Sequence, residues 1–181
     1  MVLNQLKSFK NLSRAQLKLK REMKAATVKE LKTALSNQDK EELITICLRL
    51  SRFKKENKEL LTYLLYESEN EINYINSVKR AIDDEFDKVN RKSYYFIKKS
   101  VRKILKTAKK YIRYSQKNES EVEILIYFCQ KLKEFKPTIE KNTVLRNIYV
   151  RQLESIKNTI KHLHEDLQYD YLEKMEELNF Q

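Results

Sequence analysis

Residues 91–115 read RKSYYFIKKSVRKILKTAKKYIRYS. The apolar positions Tyr94, Ile97, Val101, Ile104, Leu105, Ala108, Tyr111 and Ile112 recur every three or four residues, the spacing of one helical face. Lys99, Lys103, Lys106, Lys110, Arg113 and Lys117 fall on a second, outward stripe, with Lys98, Arg102 and Lys109 beside it. A helix over these positions is about 38 Å long. It is a rod with one apolar side and one positive side.

The wider segment 88–118 holds twelve basic residues and no acidic one, and the whole chain of 181 residues has a net charge of +12. The remainder is therefore neutral, and this segment is the best candidate for a functional surface. Lysine, at 28 residues, far outnumbers arginine at 10, a pattern that coding bias alone can produce.

Working outward, helix signals follow one another closely. Thr27 with Glu30, and Ser120 with Glu123, have capping-box spacing. Leu43, Ile44, Cys47, Leu48 and Leu50 form a broad apolar face. Asn57 reads as a cap ahead of Leu60, Leu61, Leu64 and Leu65. Ile72, Ile75, Val78, Ile82, Phe86 and Val89 keep helical spacing. Val122, Leu125, Ile126, Cys129 and Leu132 mark a strongly apolar helix ending at Phe135. Pro137 fits the first turn of a final helical region, in which a break is expected near His164.

Glycine is absent and Pro137 is the only proline, where average usage gives roughly a dozen glycines. Without glycine, hairpin-rich β structure is disfavoured. The glycine-rich phosphate loop, the dinucleotide fingerprint and the serine nucleophile elbow are all excluded. The fold expected is all-α without a β-sheet, with about seven to nine helices joined by short loops. Helical starts near 27, 57 and 91 give a spacing of roughly 30 to 34 residues, inside the range of helical repeats. This favours antiparallel hairpins stacked as an irregular α-superhelix of the HEAT or armadillo sort. A compact helical bundle is the alternative.

Residues 1–26 are set apart as a basic helical extension, opened by Ser13 with Gln16, whose leading part could be a mobile arm. Residues 27–181 are read as a single all-helical domain. Leu3, Leu6, Phe9 and Leu12 make only a thin apolar face for a membrane surface. No early segment has the apolar run of a signal peptide, so a cytoplasmic location is expected.

The run from Leu43 through Tyr74, with Arg-Leu-Ser-Arg-Phe-Lys-Lys-Glu-Asn-Lys-Glu-Leu-Leu at 49–61, resembles a group of uncharacterised all-helical bacterial proteins. That resemblance implies no catalytic residue.

Cys47 and Cys129 are expected as reduced core residues. A di-iron centre needs Glu-x-x-His motifs, but Thr159 and Lys161 precede His162 and His164 by three residues. His162 with Glu165 or Asp166 is read as polar surface. Asp83, Asp84, Glu85 and Asp87 lack a glycine-containing cation loop. No cofactor, metal or catalytic residue is expected.

The expectation is a non-enzymatic helical scaffold or interaction protein. Lys98, Lys99, Arg102, Lys103, Lys106, Lys109, Lys110 and Arg113 are its candidate polyanion- or partner-binding residues. The partner is a protein or a nucleic acid, and in the latter case these bases contact the phosphate backbone. Tyr95 and Tyr114 could stack on bases if exposed. Acidic residues from neighbouring helices could instead lie against the lysines.

Overall fold

A computed structural model describes residues 25–178. Among these residues there are eight α-helices and no strand. They are α1 (Val28–Leu35), α2 (Lys40–Phe53), α3 (Lys55–Thr62), α4 (Glu71–Asp87), α5 (Tyr94–Ser115), α6 (Asn118–Glu134), α7 (Thr143–Ile160) and α8 (Glu165–Glu176). A π-turn (Tyr63–Glu67) prolongs α3, and a 3₁₀ turn (Ile139–Lys141) precedes α7. No helix among the described residues is long and apolar enough to cross a membrane. The helix expected from Ser13 lies outside the described residues, apart from Ala25 and Ala26, which are exposed and not helical.

The chain divides into two compact units between Leu50 and Ser51, inside α2. In the first unit, Thr27 and Glu30 close a reciprocal capping box on α1. Asp39 and Glu42 do the same at α2, each accepting from the other's backbone N–H. Neither helix buries a side chain among the described residues. Cys47 is accordingly exposed, which corrects its reading as a core residue; Cys129 is buried, and both thiols are free.

The second unit is organised by α6. Val122, Ile124, Leu125, Ile126, Phe128, Cys129 and Leu132 are each at most 4% exposed. At about 100° per residue they cover more than half of the helix circumference. A helix apolar on so many sides must be enclosed, and α4, α5, α7 and α8 all pack against it. Their buried stripes are Val78, Ile82 and Phe86 on α4, Ile97, Val101, Ile104 and Ala108 on α5, and Leu145, Tyr149 and Ile156 on α7. The ring of Phe86 lies 5.9 Å from both Phe128 and Phe135. One helix ringed by four others is a bundle-like arrangement, and the stacked superhelix is not borne out. Burial pushes the Cys129 thiol up to about 12, so it is a packed hydrophobe rather than a nucleophile.

Several local expectations are corrected. Ser120 is not an N-cap: α6 begins at Asn118, and the Ser120 hydroxyl is buried and bonded elsewhere. Asn57 lies inside α3 rather than before it, and Pro137 lies in the linker ahead of the 3₁₀ turn. Ile72 is 73% exposed, while Tyr74, two residues on, is buried. The expected break is where the sequence places it, with α8 starting just after His164.

The turn from α5 into α6 carries one backbone oddity. Gln116 adopts φ 56°, ψ 17°, the left-handed conformation that closes many helices, and its N–H donates to the Ile112 carbonyl. In a chain without glycine this position falls to a residue with a Cβ. Gln116→Gly should therefore stabilise the protein by about 1 kcal/mol. Phe128→Ala, emptying the centre of the core, should cost about 3–5 kcal/mol. Chemical denaturation at neutral pH measures both, and no gain for Gln116→Gly would show that the turn is unstrained.

Candidate polyanion-binding face on helix α5

The apolar stripe of α5 faces the core and turns the opposite side to solvent. Of the eight candidate bases, Lys99, Arg102, Lys103, Lys106, Lys109 and Arg113 are exposed, and Lys98 and Lys110 are half-buried. The structure sorts them into two groups.

Lys103 pairs with Glu85 of α4 at 2.8 Å. Lys110 pairs with Glu59 of α3. Just beyond the helix, Lys117 pairs with Glu71 at the start of α4, at 2.8 Å. Carboxylates from neighbouring helices thus do lie against part of the lysine run. The other six, Lys98, Lys99, Arg102, Lys106, Lys109 and Arg113, make no ion pair among the described residues. At about 100° per residue these six occupy an arc of roughly 100° and extend about 22 Å along the axis. Lys103 and Lys110 sit just past one edge of that arc.

The tyrosines separate in the same way. Tyr95 is 67% exposed and lies within the arc. Tyr114 is buried, and its hydroxyl donates to Glu59, so it is not available for stacking. Burial, reinforced by the Glu59 carboxylate, raises the Tyr114 pKa and keeps the phenol protonated. For Glu59 itself, burial pulls the pKa up, but hydrogen bonds from Lys110 and Tyr114 more than reverse this and leave it lowered.

Glu71 holds the C-terminal end of the face in place. Its carboxylate accepts from the hydroxyls of Tyr63, Ser115 and Ser120 and from Lys117. These donors come from the π-turn, the end of α5, the first turn of α6 and the linker between the two. Burial alone would raise the Glu71 pKa; the four hydrogen bonds outweigh it and hold the group at about 2. The sequence gives no local sign of this hub, because its donors lie up to 49 residues from Glu71.

The acidic run before the basic segment does not converge on the unpaired arc. Asp83 accepts from Tyr127 and pairs with Lys131, both on α6. Glu123, read as part of a capping box, instead binds Lys79 of α4 at 2.6 Å and Lys174 of α8 at 3.2 Å. Among the described residues no three metal-ligating side chains cluster. His164 contacts Asp166 at 3.3 Å, and both are exposed.

No protein-family model, no curated protein and no solved structure matches the chain.

The Glu71 hub makes a stability signature. Its folded pKa lies below the ordinary 4.5, so its contribution is complete above 4.5 and is lost as pH falls toward about 2. Glu71→Gln should be less stable than the parent at pH 7 and should lose less further stability across that acid window. Denaturant melts at several pH values test this; parallel losses in both proteins would mean the carboxylate is not held low.

Proposed function

We propose that the protein is a non-enzymatic nucleic-acid-binding protein that grips the phosphate backbone along the solvent-facing arc of α5. The observation that supports this reading is the sorting of charge on that helix. Among the described residues, six cations make no ion pair on one arc, while the lysines at its edge are neutralised by carboxylates. Each unpaired cation can displace condensed counterions from a polyanion, and a lysine already in an ion pair gains less by doing so.

Dimensions support the same partner. Along a strand with a phosphate every 3.4 Å or so of axis, about six phosphates fit within 22 Å. The surface chemistry favours nucleic acid over an acidic protein. On α5 the only exposed large hydrophobics are Tyr95 and Phe96, both in its first turn. A protein interface relies on a buried apolar centre, and between Lys98 and Arg113 the arc has none. Phosphate binding needs no such centre, and Tyr95 offers a ring on which a base can stack.

The shifted titratable groups also suit a binding role. Glu59, Glu71, Asp83 and Glu123 owe their lowered pKa values to hydrogen bonds that tie helices together. Backbone contacts without base-edge readout give affinity with little sequence preference.

Fluorescence anisotropy with a short duplex, titrated over salt, tests the assignment. The triple variant Lys99→Gln, Lys106→Gln, Lys109→Gln should bind more weakly and flatten the log–log salt slope by roughly 2–3, at about 0.9 per phosphate contact. The double variant Lys103→Gln, Glu85→Gln, which removes a neutral pair, should leave the slope near that of the parent. Equal effects from both variants, or none from the triple variant, would place the binding elsewhere.

A further inference from the structure

The basic arc ends at an open cleft. Where α5 turns into α6 there is a space of about 410 Å³, lined by Ile112, Arg113, Gln116, Lys117, Asn118 and Glu121. That volume is within the range of small-molecule sites. Arg113 belongs to both features, as the last cation of the arc and a wall of the cleft.

The lining is not that of a second phosphate site. The Lys117 ammonium is already engaged by Glu71. Glu121 is half-buried and makes no ion pair among the described residues, so it repels a bare anion. What remains is an apolar wall from Ile112, two side-chain amides, one acceptor-only carboxylate and the Arg113 guanidinium shared with the arc. A flat neutral ring with hydrogen-bonding edges fits that set.

We infer that the cleft receives one unpaired nucleobase, at a strand end, while Arg113 and Lys109 hold the phosphates leading to it. Gln116 and Asn118 can donate to and accept from the base edge. Glu121 accepts from amino groups, which favours guanine, with two adjacent N–H donors on its Watson–Crick edge, and disfavours thymine, which has no amino group. This inference rests on the reading of α5 as a phosphate-binding face. It deepens that reading, because a pocket for an unpaired base makes a duplex with an overhang, rather than a blunt duplex, the preferred ligand.

The test uses the full chain and one duplex in five forms: blunt, or with a single unpaired 3′ nucleotide of G, A, C or T. Anisotropy at near-physiological salt should show the G overhang binding more tightly than the blunt and T forms, by roughly fivefold to a hundredfold for a good bidentate contact. Glu121→Gln should collapse the ratio between G and T overhangs, and the salt slope on the blunt duplex should not change. The ratio is the proper readout, since losing a carboxylate strengthens binding of every polyanion. Equal affinity for all five forms, with the triple-lysine variant still weakening each of them, would overturn the pocket and leave the arc standing. No binding to any form would overturn both.

Discussion

The structure depends on enclosing α6. A helix that is apolar around more than half of its circumference cannot face water on those sides, and four neighbours are recruited to cover it. The polar residues that α6 does carry must then find partners at its margins. Tyr127 and Lys131 meet Asp83, and Glu123 meets Lys79 and Lys174. Such pairs add little stability where they are exposed. They do set which helix lies against which side of α6, since leaving a half-buried charge alone is costly. Because α5 contributes only one stripe to this enclosure, its other side is left to solvent, and the charge it carries there becomes a surface property.

The same packing divides that charge. The carboxylates of Glu59, Glu71 and Glu85 all belong to the segments that flank α5 on its α3–α4 side. Lysines that point toward those segments are neutralised, and those that point away are not. Glu71 adds a geometric role: with donors from the π-turn, α5 and α6 on one carboxylate, it fixes where α5 ends and α6 begins. Lys117, which lines the space at the corner, is held by this one group.

Much of this was legible in the sequence, and the reasons for the rest are physical. The α5 stripe was legible because helical periodicity is local, and the break near His164 because caps and polar clusters are local as well. The pairing of Lys103 and Lys110 was not, because it depends on residues 18 and 51 positions away. Ser120 misled for the same reason: a serine three residues before a glutamate looks like a cap, but its hydroxyl is taken by Glu71 from a distant helix. Tyr114 is drawn out of the solvent set by Glu59. Cys47 sits in an apolar helical pattern that remains at the surface, which pattern alone cannot distinguish from a core position. The candidate site was therefore found as a helix, and only the tertiary structure resolves which part of that helix is free.

Neutralising one flank of α5 and not the other has an effect that reaches beyond contact distance. A uniformly charged rod attracts a polyanion equally from all sides and imposes no orientation on it. With one flank cancelled, the potential around α5 is lopsided and falls off across the rod as well as away from it. Within about a Debye length, roughly 8–10 Å at ordinary salt, this lateral gradient would act as a torque on any polyanion that approached. Under the proposed reading, the encounter would be biased toward one roll angle about the helix axis before any side chain touched a phosphate, and the acidic flank would work as a fence as much as a fastening.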